Sequence, residues 1–208
     1  MTDFEKAAPT WDEQPGRVAV ANQIGAAILR ETKLHPAMDV LEFDCGTGLI
    51  TLQLQPLVHS ITGIDSSDGM LSVLAAKVAA ASLTNVHLQK MDVIQGENLR
   101  GAYSMVVSSM TIHHIPEILP LFRQFFRILL PGGSLVIADL DPDDGQFHED
   151  NQGVHHQGFD RAELRALMEA AGFVGIRETL AAEVTRPAAG GGAMRPFTIF
   201  LMTAIKPE

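Results

Sequence analysis

The side chains with the plainest chemistry are three acids. Glu42, Asp65 and Asp92 close or follow the apolar stretches VLEF, SITGID and NVHLQKMD. Short apolar runs bounded by turn residues read as covered strands, which gathers these acids at one edge of a sheet. Between the first two runs the chain reads Asp44-Cys45-Gly46-Thr47-Gly48. Glycines spaced this way let the backbone bend sharply and approach a ligand, and the helix expected after Gly48 aims its first amides at the same place. In sheets built of alternating strands and helices, ligands bind beyond the carboxyl ends of the strands. A nucleotide-like cofactor is therefore expected over the turn.

Charge separates two cofactor classes. A dinucleotide fingerprint needs a further glycine beneath the pyrophosphate, three residues after the second; Thr51 holds that place. Glu42 would also stand close to the phosphates. S-adenosylmethionine carries a sulfonium and an ammonium in place of phosphates, and both are favoured by nearby carboxylates. Asp65 can then take the two ribose hydroxyls in charge-assisted hydrogen bonds. The acids favour S-adenosylmethionine over NAD.

Other candidates come later in the chain. His113 and His114 follow the fourth expected strand, where a methyl acceptor would lie. His113 is the candidate to touch substrate and take its proton, while His114 reads as a pocket-lining residue. The stretch 141–158 holds Asp141, Asp143, Asp144, His148, Glu149, Asp150, His155 and His156. Their spacing fits no metal cage, so no metal is expected, and the stretch reads as a mobile cover over the substrate. Cys45, the single cysteine, has no partner base nearby and reads as packing. Arg186 and Arg195 flank a triple glycine; they read as solvated, with reception of an acidic acceptor as the alternative.

These residues need a frame to hold them. Strands are expected over 40–43, 60–65, 85–88, 103–107 and 134–140. The first helix is expected over 17–32, with Val20, Ala21, Ile24, Ala27 and Ile28 on one face. Leu49, Leu52 and Leu57 are the expected inward residues after the glycine turn. Ser66 or Ser67 caps the next helix. Ile118, Phe122, Phe125 and Leu129 mark another helix face, ended by Pro131-Gly132-Gly133. Asp160 with Glu163 forms a capping box, and Phe159 with Leu164 a staple. Two strands near 173–184 and 197–205 have no helix between them and should pair antiparallel. The fold class is α/β: a Rossmann-like doubly wound sheet of five parallel strands with a C-terminal antiparallel strand pair at one edge. The whole of 1–208 reads as a single domain. It comprises a leader and helix over 1–33, a cofactor-binding core over 38–140, a substrate-side loop over 141–158, and a C-terminal helix and strand pair over 159–208. The leader is a candidate lid, because it carries Phe4 and the chain's only tryptophan, Trp11.

Composition bounds the function. A net charge of -10 and a pI near 5.2 supply no general positive field for nucleic acid or anionic lipid. No apolar run reaches the roughly 20 residues that span a bilayer. A lone cysteine fits a reducing compartment. A soluble cytoplasmic monomer or homodimer with a small-molecule partner is expected.

Several segments together resemble class I S-adenosylmethionine-dependent methyltransferases, of the small-molecule, type 11-like kind. VLEFDCGTG is similar to that family's first motif, with Glu42 as its acid and Gly46 and Gly48 as its second and third glycines. GIDSSDGML resembles the next motif, which implies Asp65 on the ribose, with Ser66 beside it and Met70 near the adenine. KMDV resembles the segment in which Asp92 meets the adenine amino group and Val93 makes a neighbouring backbone contact; LLPGGSLVIAD resembles the approach to the fifth strand. Ser108, following the fourth strand, joins the implied cofactor contacts. Asp44 departs from the family, standing where it has its first glycine; a carboxylate there would sit close to the cofactor's ammonium or sulfonium. The expected activity is methyl transfer from S-adenosylmethionine to a small molecule. The alternatives are a cofactor-binding module without turnover and, further off, an NAD-dependent oxidoreductase.

Overall fold

The computed structural model describes residues 4–208, so residues 1–3 of the leader expected over 1–33 lie outside the described residues. Seven strands form one sheet in the order β3-β2-β1-β4-β5-β7-β6. They are β1 Asp39–Phe43, β2 Ser60–Asp65, β3 Val86–Lys90, β4 Tyr103–Ser109, β5 Leu129–Leu140, β6 Val174–Pro187 and β7 Met194–Ile205. The first five are mutually parallel, and β7 runs antiparallel between β5 and β6. The fold class read from the sequence is the one observed. Strand order reverses between β1 and β4, which makes the carboxyl ends of those two strands the place for a ligand.

Alternation along β1 decides where its acid goes. Leu41 and Phe43 face the core beneath α5 (Ile118–Ile128) and α6 (Arg161–Ala170). Val40 faces the other core, beneath α2 (Pro15–Glu31) and α3 (Thr51–Leu54). Side chains two apart share a face, so Glu42 points toward α3. The helix after the glycine turn is shorter than expected. Pro56, which lacks an amide donor, sits in a 3₁₀ turn over Gln55–Leu57 that ends α3. The inward residues are consequently Ile50, Thr51 and Leu54, while Leu57 is exposed.

Local signals elsewhere do as expected. Ser67 Oγ accepts from the Met70 amide at 3.1 Å and caps α4 (Asp68–Ala80). Asp160 caps α6 by accepting from the Ala162 and Glu163 amides. The helix ending at Ile128 passes directly into β5, so Leu129 belongs to the strand. α2 lies along β6: the Glu183 amide donates to Gln23 Oε1 at 3.3 Å, and Arg177 donates to the Glu31 carbonyl at 3.3 Å. The N-terminal end of α2 therefore meets the far end of β6, at the active-site edge. Among the described residues no helix is long and apolar enough to cross a membrane.

Candidate active site

The turn after β1 is held from β2. The Cys45 amide donates to the Ile64 carbonyl at 2.9 Å, and the Gly48 amide to the Cys45 carbonyl at 2.9 Å. Asp44, Gly46 and Gly48 have φ of 55°, 54° and 83°. Gly48 has two reasons to be glycine, since a Cβ there would lie 2.3 Å from Leu74 Cδ1 of α4. Gly46 has only its conformation, with nothing within 4 Å of a Cβ. Asp44 takes the left-handed backbone without that freedom; aspartate tolerates it better than most residues.

Four acids surround this turn, and burial disfavours the charge of three of them, Asp65, Glu42 and Asp44. Asp65, at the tip of β2, accepts from the Gly46 amide at 2.7 Å and the Ser67 amide at 2.8 Å. Burial still raises its pKa, with repulsion from Glu5 adding to the rise. Glu42 accepts from the buried Thr51 hydroxyl at 2.5 Å; burial pushes its pKa to about 8. Burial and the charges of Asp65 and Asp92 carry Asp44 to about 8 as well. Asp92 Oδ1 accepts from the Ile94 and Gln95 amides. Cys45 is buried and its thiol is pushed well up, which keeps it protonated and inert. A place that holds carboxyls short of their counter-charge suits a sulfonium and an ammonium, and it repels a pyrophosphate. Thr51, buried and bonded to Glu42, stands where the dinucleotide fingerprint needs a glycine.

A small cavity of about 20 Å³ opens beside the turn, lined by Phe43, Asp44, Ser66, Met91, Asp92, Val93, Ile94 and Ile115. Five apolar side chains line it together with two acids, Asp44 and Asp92, and Ser66. Of the expected cofactor residues, Asp44, Ser66, Asp92 and Val93 line it. Glu42, Gly46, Gly48 and Asp65 build the turn next to it. Met70 is buried, with its amide on the Ser67 cap. Ser108 Oγ is buried without a hydrogen-bond partner.

The leader lies across this edge. Its helix α1 (Phe4–Ala7) brings Glu5 Oε2 to the Gly69 amide at 2.7 Å. Asp12 accepts from Thr47 Oγ1 at 2.6 Å and pairs with Lys77, whose ammonium also donates to the Thr47 carbonyl at 2.7 Å.

On the other side of the switch point, His113 sits in the 3₁₀ turn after β4. It is 1% exposed, and its Nδ1 lies 2.7 Å from Asp139 Oδ1 on β5. Burial raises the Asp139 pKa, but the ring beside it and the Leu140 and His113 amides more than offset that and leave it lowered. An ionised Asp139 accepts a hydrogen bond from Nδ1–H, which leaves Nε2 with its lone pair; Nε2 is buried and has no partner. His114 and His148 pack on His113 with ring centroids 4.2 and 4.9 Å away. Burial lowers both their pKa values, that of His148 to about 4, so they stay neutral near pH 7. In the 141–158 stretch, His155 and His156 donate backbone amides to the His113 carbonyl, and His156 Nε2 lies 2.9 Å from the Ile115 carbonyl. Asp141 is tied to Arg161 at 2.7 Å on both oxygens. Among the described residues no group of three or more His, Cys, Asp or Glu is placed to hold a metal ion.

Sequence reasoning did not find Asp139, Glu5, Asp12 or Lys77. Asp139 carried a usable signal, since it ends an apolar strand run as Glu42 and Asp65 do. The leader acids carried none.

Comparisons with known proteins bear on the family and the fold. A family model described as a methyltransferase domain matches residues 17–178. An uncharacterized methyltransferase of Schizosaccharomyces pombe is 34% identical over 137 residues, covering 59% of this chain and 48% of its own length. A demethylmenaquinone methyltransferase of Listeria monocytogenes is 25% identical over 142 residues, 65% of this chain and 60% of its own length. The chain thus spans about half the length of the curated relatives it matches. Among solved structures, Haemonchus contortus phosphoethanolamine N-methyltransferase 2 with S-adenosyl-L-methionine superposes with a TM-score of 0.72 at 14% identity, covering 100% of this chain and 61% of that one. With the glycine turn, the acid-tipped strands and a family match over most of its length, the chain belongs to the methyltransferase-domain family.

Proposed function

We propose that the chain transfers the methyl of S-adenosylmethionine to a small-molecule acceptor whose acidic proton is taken by His113. The observation that carries this reading is the buried His113–Asp139 pair at 2.7 Å with the opposite ring nitrogen unpartnered. A nitrogen lone pair buried without a donor is unfavourable, and an acceptor hydroxyl or amine would satisfy it. The cofactor supplies a methyl already activated as a sulfonium, so the chain's work is to orient, exclude water and hold the proton. Asp139 keeps the ring in the required tautomer. Asp65 holds the ribose, Asp92 and Val93 the adenine, and Glu42 and Asp44 offset the cofactor's positive charge. A net charge of -10 supports a small acceptor over nucleic acid.

The leader serves as the lid in this reading. Glu5 packs so close to α4 that a Cβ on Gly69 would lie 2.9 Å from the Glu5 carbonyl. Gly69→Ala suits the helix but props the leader away, and should speed cofactor release in stopped-flow measurements. Release at the parent rate would dismiss the lid.

The test of the function is calorimetric titration with S-adenosylmethionine and with NAD, followed by an acceptor screen for S-adenosylhomocysteine. Binding of the sulfonium cofactor, with turnover lowered about 100-fold or more in His113→Asn, is expected. Stabilisation by NAD alone would reject the reading. A module that binds without turnover is the second reading, favoured by Asp44 in the glycine position; it predicts cofactor binding with no S-adenosylhomocysteine from any acceptor.

A further inference from the structure

Three guanidinium groups converge at the acceptor edge without an acid to answer them. Arg186 on β6 and Arg195 on β7 are directly opposite each other in the strand register. Like charges placed directly opposite are destabilising, and side chains so placed share one face of the sheet. Arg186 stacks over Phe147 at 4.8 Å and Arg195 over Phe197 at 4.8 Å, and these two rings meet edge to face at 5.4 Å. Arg17, at the start of α2, stacks over Trp11 at 3.7 Å. Burial and then the positive charge of Arg186 lower its pKa, which places the two cations within each other's field. Among the described residues none of the three guanidiniums has a carboxylate or other hydrogen-bond partner. Arg161 and Arg165, by contrast, are paired with Asp141 and Glu178.

In a chain of net charge -10, acids were abundant for pairing these cations. The cluster also adjoins the acceptor side. Phe147 contacts His148 at 5.0 Å and His148 contacts His113 at 4.9 Å; Trp11 contacts Phe4 at 5.8 Å and Phe4 contacts His114 at 5.8 Å. A run of flat rings therefore leads from the arginines to the unpartnered His113 nitrogen along two routes.

We propose that Arg17, Arg186 and Arg195 form an anion site for the carboxylate or phosphate end of a ring-containing methyl acceptor, whose reactive end lies at His113 Nε2. This deepens the function above and rests on it. Planar guanidiniums suit carboxylate and phosphate oxygens, and stacking on aromatic rings leaves their N–H edges available. The site accounts for both the destabilising cross-strand pair and the missing acids.

The experiment is calorimetry on the full chain with 4-hydroxybenzoate, 4-hydroxycinnamate and phenyl phosphate. Each is set against its neutral counterpart: 4-hydroxybenzamide, 4-hydroxycinnamamide and phenol. At least one anion should bind about tenfold or more tighter than its counterpart, quenching Trp11 fluorescence, and the better of carboxylate and phosphate identifies the group. Arg186→Gln/Arg195→Gln should bring each pair within about twofold without lowering the melting temperature, because a repulsion is removed. Arg17→Gln on a separate element should do the same in part. No preference anywhere in the panel, absence of binding included, overturns the site; so does a preference that survives the double substitution. Titration with S-adenosylhomocysteine on the same samples keeps the two readings apart. Normal cofactor binding without anion preference overturns the anion site alone, and anion preference without cofactor binding overturns the methyltransferase reading alone.

Discussion

Asp65 and Asp139 close strands on opposite sides of the switch point, and each collects backbone amides, yet they are held in opposite states. Asp65 takes the Gly46 and Ser67 amides, and its pKa is raised. Asp139 takes the Leu140 amide at 2.8 Å and the Thr111 amide at 3.2 Å, and its pKa is lowered. The acid that is better buried, 0% against 6% exposed, is the one that ionises more easily. The difference is the company. Asp139 faces an imidazole, while Asp65 faces Glu5 and shares its surroundings with Asp44. Burial sets the penalty for charge, and the neighbour decides whether it is met. The cofactor edge thus waits for a cation, whereas the acid of the acceptor edge already has its hydrogen-bond partner in the His113 ring.

The largest expected effect tests the second half of that contrast. His113→Ala leaves Asp139 charged, buried and without its ring, and should lower stability by about 3–5 kcal/mol in urea unfolding at pH 8. A loss below 1 kcal/mol, the size of an exposed pair, would show that Asp139 does not depend on the ring. At the other edge, Asp65→Ala should weaken S-adenosylmethionine binding by about 1.5–3 kcal/mol while costing less stability than His113→Ala. Unchanged cofactor affinity would remove Asp65 from the ribose role.

Next comes pH. Glu42 and Asp44 hold their protons up to about 8 when folded, whereas an unfolded chain releases them near 4. A raised acid favours the folded state below its unfolded pKa, and that contribution is lost as pH rises through about 8. Asp139 has the opposite sign, its contribution being lost as pH falls through its lowered value. The cofactor-free melting temperature should therefore decline between pH 6 and 9. Over the same window S-adenosylmethionine should gain affinity relative to S-adenosylhomocysteine, which lacks the sulfonium. A constant ratio would mean that the acids do not sense that charge. The smallest effect is expected from Asp44→Gly, which relieves the left-handed backbone by about 1 kcal/mol. It should raise cofactor-free stability slightly and flatten the pH dependence; unchanged unfolding would show the turn unstrained.

Much of the frame was legible because it is written locally. The ends of α4 and α6 are set by Ser67 and Asp160, whose side chains bond amides two or three residues on. Gly48 could be read as part of a tight turn, though the collision with Leu74 that also requires glycine could not. The misplacement of Leu57 has the same origin. Helical spacing was extended past Pro56, where the backbone tightens and the inward face rotates. At the site, His113 was visible as a candidate by its place after β4, but its partner on β5 was not.

From the residues alone come the alternation of strands and helices, the glycine turn and the acids at the strand tips. Each depends on a residue type and its immediate neighbours. Tertiary structure alone decided which acids hold protons, that Asp139 pairs with His113, that Glu5 and Asp12 land on α4 and the turn, and that Arg186 stands opposite Arg195. The physical reason is distance. Desolvation and charge act over a few ångströms of space, and the groups that meet within that range are drawn from segments far apart along the chain.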